Sequence, residues 1–238
     1  MKRTMLITGT TQGIGNEIYN QFKNEYDVIC VNRRFFEGRN YICNLSDEVE
    51  TKALCADIKN QGVDILINNA GGATPVVFPL MTVDELVKCS ALNYHAPVML
   101  MQAVLEGMKE RGYGRVINIS SIASKSPRSV IPHYAATKAA LESFTKSMAV
   151  FYSECGVTIN SICPGGVETD TSLKNRRIMA QITGKDEEYY NNQMKSGNGL
   201  GRMIKPAEIV SCIRFLLSDG ADSISGQSIN ICGVKEVH

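Results

Sequence analysis

Short apolar runs rich in isoleucine and valine alternate along the chain with longer segments of helical periodicity. The runs are near-continuous rather than strictly alternating, which is typical of parallel strands covered on both faces. With a weaker run at 40–43, they predict a sheet of about seven strands. The six clear runs lie at residues 4–8, 27–31, 63–68, 115–120, 157–163 and 227–232.

Helical patterns fill the intervals, at about 13–24, 46–60, 82–110, 132–154 and 206–217. This alternation predicts an α/β fold, a doubly wound parallel sheet with helices on both faces and right-handed crossovers. The sequence has no linker, internal repeat or low-complexity tract, so we expect a single domain over residues 1–238. The polar, glycine-dotted segment at about 166–201 is expected to be an irregular excursion from the edge of the sheet.

Three helix starts are marked by local signals. In "TVDE", Thr82 and Glu85 have the spacing of a capping box, with Thr82 as the N-cap. Pro132 and Pro206 stand where a first-turn proline is tolerated, because the N–H that it lacks would have no helical partner there. We therefore expect helices to begin at these places.

The composition is that of an ordinary globular protein, with 44% hydrophobic and 21% charged residues. A formal net charge of +1 gives no reason to expect nucleic acid or an anionic membrane surface as a partner. The apolar run near the N-terminus is too short for a signal peptide, and no stretch is long enough to span a bilayer. We expect a protein that binds neither nucleic acid nor membrane.

Cysteine and histidine usage bears on location and metal chemistry. The eight cysteines are widely spread, form no Cys-x-x-Cys pair, and several lie inside apolar runs where a free thiol behaves as a small hydrophobe. None of the three histidines has a second candidate ligand nearby in the sequence. These features predict a cytoplasmic protein without a metal site.

A glycine-rich turn, "LITGTTQGIG", places Gly9, Gly13 and Gly15 between the first predicted strand and the first predicted helix. A helix N-terminus offers unpaired N–H groups and a partial positive charge, which suit a pyrophosphate. Glycines let the backbone approach such a ligand without a Cβ in the way. The turn predicts a nucleotide-phosphate site, and a glycine-rich turn without a ligand is the alternative.

The glycine spacing differs from the Gly-x-Gly-x-x-Gly of ordinary dinucleotide folds. Residues 8–15 read Thr-Gly-x-x-x-Gly-x-Gly, and in this the chain resembles the short single-domain branch of the short-chain dehydrogenase/reductase family. The family's extended branch, which includes many sugar epimerases, has one residue fewer between the first two glycines. The resemblance implies a Rossmann-like oxidoreductase, and an epimerase is not expected.

Further motifs extend the resemblance over nearly the whole chain, in the order that the family has them. They are "NNAG" at 68–71, "INISS" at 117–121, "PHYAATK" at 132–138 and "PGGVET" at 164–169. The step of 13 residues from Ser121 to Tyr134 is the family's usual one. The resemblance is to 3-oxoacyl-carrier-protein reductase-like members, and it implies a catalytic set of Asn93, Ser121, Tyr134 and Lys138.

The resemblance also implies which residues contact a nicotinamide dinucleotide. "NNAG" would lie beside the adenosine ribose, and the threonine that ends "PGGVET" would touch the nicotinamide carboxamide. The implied cofactor contacts are Gly9, Thr11, Gln12, Gly13, Ile14, Gly15, Asn32, Arg33, Asn44, Leu45, Asn69, Ala70, Gly71, Tyr134, Lys138, Pro164, Gly165, Val167 and Thr169.

The residues after the second predicted strand bear on the choice of cofactor. An acidic residue there binds the ribose 2′-hydroxyl of NAD, whereas a basic residue favours the 2′-phosphate of NADP. Asn32 takes the acidic position, and Arg33, which follows it, could bind a phosphate bidentately. We predict NADP(H), with NAD(H) as the alternative if Arg33 and Arg34 are only a solvated pair. Asn44 stands where the family often has an aspartate near the adenine amine.

Tyr134 and Lys138 lie one helical turn apart, on one face. A free tyrosine has a pKa near 10, too high for an efficient base at neutral pH, and a nearby cation would lower it. We therefore expect Lys138 to lower the pKa of Tyr134, the general acid/base. Tyr19 and Lys23 repeat this spacing, but no serine or asparagine is placed to join them.

The other members of the set have supporting roles. Ser121 would donate a hydrogen bond to the substrate oxygen, and its neighbour Ser120 is rejected on the spacing to the tyrosine. By resemblance, Asn93 distorts its helix and anchors a water that links the lysine to solvent. His133 is expected to be structural, because adjacent helix positions do not share a face.

Together these features predict an NADP(H)-dependent oxidoreductase that interconverts a carbonyl and a secondary alcohol by hydride transfer. Two alternatives stay open: an NAD-dependent alcohol dehydrogenase of the same family, and a non-catalytic nucleotide-binding regulator on this fold. The substrate is a small molecule of unspecified class, and segment 166–201 is expected to cover it as a lid. The resemblance also implies a homotetramer or homodimer that pairs through the helices at 82–110 and 132–154.

Overall fold

The computed structural model describes residues 2–126, 129–196 and 198–234. Seven parallel strands form one sheet, in the order β3-β2-β1-β4-β5-β6-β7. The predicted seven-stranded parallel sheet is confirmed. The strands are β1 (Thr4–Thr8), β2 (Asp27–Asn32), β3 (Arg39–Ile42), β4 (Val63–Asn68), β5 (Gly114–Ile119), β6 (Val157–Pro164) and β7 (Ser228–Ile231).

Helices cover both faces of the sheet, as predicted, and a π-helical turn at Ala91–His95 joins the third to the fourth. The helices are α1 (Gly13–Phe22), α2 (Glu48–Ile58), α3 (Val83–Ser90), α4 (Ala96–Glu110), α5 (Pro132–Phe151), α6 (Asp170–Thr183), α7 (Glu187–Ser196) and α8 (Pro206–Leu216).

Two apolar layers hold the helices to the sheet. Successive strand side chains point to opposite faces, so Leu6 of β1 packs with α2, α4 and α5, whereas Met5 and Ile7 pack with α1 and α8. All three side chains are fully buried. Burial on both faces explains why the strand sequences are near-continuous apolar runs.

The order of the sheet reverses between β1 and β4, and ligands of such sheets bind in the crevice outside the strand ends at this point. The carboxyl ends of the parallel strands lie along one edge of the sheet. Thr8, Asn68, Ile119 and Pro164 end β1, β4, β5 and β6 there. Each predicted site motif follows one of these ends or lies in a helix beside it.

All three predicted helix starts are confirmed. The helix predicted over residues 82–110, however, is not continuous. Thr82 and Glu85 form the predicted capping box of α3, and Pro132 and Pro206 begin α5 and α8. The helix predicted at 82–110 is divided, because the π turn at Ala91–His95 interrupts it.

Segment 166–201 is more regular than the sequence suggests, since it contains α6 and α7. Both helices are polar, so a search for apolar periodicity misses them. A capping signal was present: the Thr169 hydroxyl accepts from the backbone N–H of Ser172 at 3.2 Å at the start of α6. In the described part of the chain, no helix is both long and apolar enough to cross a bilayer.

Candidate active site

The glycine turn after β1 is closed by an asparagine from the β4 end. Asn69 donates its side-chain amide to the carbonyls of Thr8 at 2.9 Å and Gly9 at 3.0 Å. Gly15 lies against this turn so closely that a Cβ there would stand 2.0 Å from the Gly9 oxygen and 2.4 Å from Nδ2 of Asn69. The third glycine is therefore required for packing of α1 against the turn.

The start of α1 is open to an anion. Gln12, its N-cap, makes no capping bond with its side chain, and the first turn carries no acidic residue. The first-turn N–H groups, including those of Gly13 and Ile14, are thus not masked by a side-chain cap. This fits the diphosphate of a dinucleotide, with Thr11 in the turn that leads to the helix.

Asn32, one of the implied cofactor contacts, also has a structural part in the glycine turn. It is buried, its Oδ1 accepts from the backbone N–H of Thr10 at 2.8 Å, and its Nδ2 donates to the Thr10 hydroxyl at 2.9 Å. Both ends of its amide are therefore used to hold the glycine turn. Thr10 is a site residue that the sequence analysis missed, and no motif marks its role.

The two arginines after Asn32 are exposed, and so is Phe35. Arg33 is therefore accessible to a 2′-phosphate. Asn44 is exposed too, but its Oδ1 accepts from the backbone N–H of Ser46 at 3.3 Å, and its neighbour Leu45 is buried in the core. Because the Asn44 oxygen is used in this bond, its amide nitrogen is the group available to an adenine.

Asn93 lies in the π turn and is fully buried. Its Oδ1 accepts from the backbone N–H of Gly72 at 2.9 Å, and its Nδ2 donates to the carbonyls of Gly72 and Cys89, both at 2.9 Å. The side chain thus ties the widened turn to the loop after β4, which carries Ala70 and Gly71. The local helix distortion expected at Asn93 is present.

Lys138 is buried beside this loop, with 3% of its surface exposed. Its ammonium donates to the carbonyl of Ile119, at the end of β5, at 2.8 Å. A Cβ on Gly71 would stand 3.1 Å from Nζ of Lys138 and 2.8 Å from Oδ1 of Asn93. Burial lowers the pKa of Lys138 to about 8. The glycine of "NNAG" therefore leaves room for both polar groups.

The side chains of Tyr134 and Ser121 are neighbours in this site. The Nζ of Lys138 lies 5.6 Å from the centre of the Tyr134 ring. Desolvation raises the pKa of Tyr134 to about 12, although Ser121 favours the ionised form. The lowered pKa that we expected for Tyr134 is wrong here, because desolvation outweighs the interactions that favour the phenolate.

Ser120 and His133, the sequence neighbours of Ser121 and Tyr134, make contacts away from the Tyr134 hydroxyl. The Ser120 hydroxyl donates to Oε1 of Glu142 at 2.7 Å, away from Tyr134. His133 is buried, and burial lowers the pKa of its imidazole. Neither side chain contacts the Tyr134 hydroxyl among the described hydrogen bonds.

The "PGGVET" turn closes the other side of the site. The backbone N–H of Gly165 donates to the carbonyl of Ile231 at 2.9 Å, and Val167 forms an isolated parallel bridge with Ile204. These contacts carry the chain from Pro164 to Thr169 at the start of α6. The first turns of α6 reach the opposite loops, which sequence motifs do not reveal. Gln12 donates to the Thr171 hydroxyl at 2.9 Å, and Asn175 to the Ala73 carbonyl at 3.3 Å.

The short chain dehydrogenase family matches residues 3–179. The chain is 30% identical to a 3-oxoacyl-acyl-carrier-protein reductase of Rickettsia conorii over 97% of this chain and 95% of that protein. It is 27% identical to a variant of actinorhodin polyketide ketoreductase solved with NADPH (TM-score 0.89, covering 98% of this chain and 96% of that one). It is 26% identical to 4-hydroxyisoleucine dehydrogenase complexed with NADH (TM-score 0.85, covering 97% of each chain).

Gly15→Ala is expected to destabilise the protein and to weaken NADPH binding, because the added methyl would overlap the Gly9 carbonyl and the Asn69 amide. Urea unfolding and a fluorescence titration with NADPH measure the two effects. Gly220→Ala is the control, since its methyl would lie 3.7 Å from the nearest atom. Equal behaviour of the two variants would contradict the packing role of Gly15.

Lys138→Met is expected to remove one contribution to stability that rises with pH. The folded pKa of Lys138, about 8, lies below the ordinary 10.5, so between these values the unfolded chain binds a proton that the folded chain releases. The lysine therefore makes stability rise with pH across this window, by roughly 3 kcal/mol for a shift of this size. Urea unfolding at several pH values compares the parent, Lys138→Met and the exposed-lysine control Lys146→Met. If Lys138→Met has the same slope of unfolding free energy against pH as the parent, the lowered pKa of Lys138 is contradicted.

Proposed function

The chain belongs to the short-chain dehydrogenase family, and from this premise we propose that it reduces the 3-carbonyl of a 3-oxoacyl thioester with NADPH. It is an NADP(H)-dependent oxidoreductase that interconverts carbonyl and secondary alcohol groups. The substrate class is supported by relatives named for 3-oxoacyl and polyketide reduction. The observation that carries the chemistry is the grouping of Ser121 and Tyr134 beside the buried ammonium of Lys138, whose Nζ lies 5.6 Å from the centre of the tyrosine ring.

The residues present fit a nicotinamide dinucleotide. The uncapped start of α1 would hold the diphosphate, and Arg33 the 2′-phosphate. Lys138 and the turn that ends in Thr169 would hold the nicotinamide half. When bound, NADPH supplies the hydride that reduces the carbonyl carbon.

The proton chemistry falls to Tyr134. With its pKa raised to about 12, Tyr134 is protonated near neutral pH and is suited to give its proton to the carbonyl oxygen as that oxygen gains negative charge. Ser121 would donate a second hydrogen bond to the same oxygen. The Lys138 ammonium would stabilise the phenolate left behind and return a proton to it. Asn93 would hold the loop beside that lysine and the water through which protons are replaced.

The first turns of α6 support a lid role for segment 166–201. Thr171 contacts Gln12 of the glycine turn, and Asn175 contacts Ala73 in the loop after β4. These two bonds span the crevice in which the dinucleotide would lie. Closure over the cofactor would exclude water from the reacting atoms.

One alternative has specific support: use of NADH instead of NADPH. A similar solved structure, 4-hydroxyisoleucine dehydrogenase, is a complex with NADH. Against NADH, Asn32 carries no charge, so it would not repel the 2′-phosphate of NADPH. The exposed arginines therefore decide between the two cofactors.

Two broader properties complete the proposal. A homotetramer or homodimer that pairs through α3–α5 is supported by exposed apolar side chains on these helices, at Val83, Val87, Val150 and Phe151. A cytoplasmic location is supported by the cysteines, among them Cys30, Cys43 and Cys163, which are buried thiols.

Tyr134→Phe is expected to abolish turnover of acetoacetyl-CoA with NADPH, because the variant lacks the proton donor, while NADPH binding stays largely intact. NADPH absorbance measures turnover against a panel of 3-oxoacyl thioesters, simple ketones and secondary alcohols. Tyr19→Phe, at the other Tyr-x-x-x-Lys pair, is the control and should keep the parent rate. Retained activity in Tyr134→Phe would rule out the mechanism. Activity confined to the ketones and alcohols would rule out the thioester substrate.

Arg33→Ala is expected to lower kcat/KM for NADPH by roughly ten- to a hundredfold, since an arginine–phosphate pair is lost. The value for NADH should change less than twofold. Arg39→Ala is the control, because Arg39 is also exposed but pairs with Asp27 at 2.8 Å. An equal loss with both cofactors, or a parent preference for NADH, would contradict the assignment.

A further inference from the structure

A third ionisable residue continues the face of α5 that carries the catalytic pair. Tyr134, Lys138 and Glu142 follow one another at intervals of four residues and so lie along one side of the helix. Glu142 is buried, with 6% of its surface exposed. A carboxylate this far from water is stable only where donors or cations satisfy it, and its partners lie at the reacting centre.

The donors to Glu142 come from both sides of Ser121. The Ser120 hydroxyl donates to Oε1 of Glu142 at 2.7 Å, and the Ser124 hydroxyl lies against the same oxygen. The Ser124 hydroxyl also lies 2.5 Å from the backbone carbonyl oxygen of Ser121, so its one proton is shared between the two acceptors. The Cys163 thiol donates to Oε1 at 3.3 Å. One carboxylate therefore anchors the residue before Ser121 and the turn after it.

Glu142 also contributes to the charge around the catalytic lysine. Burial lowers the pKa of Lys138, and the negative charge of Glu142 opposes that lowering. Lys125 balances the carboxylate from the other side, with its Nζ 4.0 Å from Oε2. The ionisable groups that face Lys138 or Glu142 from the surrounding elements are Tyr134, Cys89, Cys163 and Lys125.

We propose that Glu142 is a positioning residue of this active site, which fixes Ser121 through Ser120 and Ser124 and keeps Lys138 in its ammonium form. Glu142 touches neither the substrate nor the cofactor in this role. It acts on the serine through hydrogen bonds and on the lysine through charge. The inference rests on the proposed function, since it assigns Glu142 to the same reaction.

Glu142→Gln keeps the volume and removes the charge. We expect kcat to fall roughly tenfold, with KM for NADPH changed less than twofold. The alkaline limb of the kcat–pH profile should move to lower pH, because Lys138 then loses its proton more readily. The titration of Lys138, followed by NMR of ¹³C-labelled lysine in the protein without nucleotide, should shift in the same direction. Glu142→Asp keeps the charge, so it should return the alkaline limb to the parent's pH and recover part of the parent's kcat.

Two further variants separate positioning from general destabilisation. Thr145→Val removes a buried hydroxyl of the same helix that bonds Asn118 and the Leu141 carbonyl, so it should lower stability and leave the alkaline limb in place. Ser124→Ala should lower kcat severalfold without moving the limb, since the charge of Glu142 remains.

The proposal would be overturned if Glu142→Gln kept both the parent's alkaline limb in the kcat–pH profile and the parent's Lys138 titration. It would also be overturned if Thr145→Val moved the alkaline limb as far as Glu142→Gln does. If Glu142→Gln does not fold, a parent-like kcat in Ser124→Ala overturns the positioning role. Failure of the proposed function is a different result: the parent would not turn over with NADPH, or Tyr134→Phe would keep the parent's rate. The Lys138 titration still tests Glu142 in that case, because it needs no turnover.

Discussion

The burial of one ammonium group is the constraint around which this site is built. Lys138 carries its charge into the carboxyl edge of the sheet, where transfer out of water is costly. The Ile119 carbonyl accepts one of its protons, and Gly71 leaves the space that the side chain occupies. The strand end, the loop after β4 and the π turn thus all serve to accommodate a single cation.

That burial also sets the protonation states of the tyrosine and the lysine. A low-dielectric site raises the pKa of Tyr134 and lowers that of Lys138, so the phenol stays protonated while the lysine can give up its proton near pH 8. A protonated tyrosine is a proton donor, which reduction of a carbonyl requires.

Much of the fold followed from the sequence, because strands buried on both faces leave long apolar runs and the glycine turn has a fixed spacing. A catalytic set could be proposed because the family resemblance rests on motifs at regular distances along the chain, as in the 13-residue step from Ser121 to Tyr134. Helices α6 and α7 could not be found this way, since polar helices leave no apolar period. The pKa of Tyr134 was also out of reach, because burial is a tertiary property and here it outweighs the neighbouring cation.

The end of β2 shows why a position in a motif does not fix a role. Asn32 stands where an acidic residue would select NAD, yet both ends of its amide are used by Thr10 to hold the glycine turn. A residue with such a structural duty cannot vary freely with the cofactor. Arg33 and Arg34, by contrast, are exposed and carry no part of the core. The recognition of a 2′-phosphate that we propose for Arg33 is therefore separated from the stability of the turn, and a change of cofactor preference at the arginines would leave the glycine turn intact.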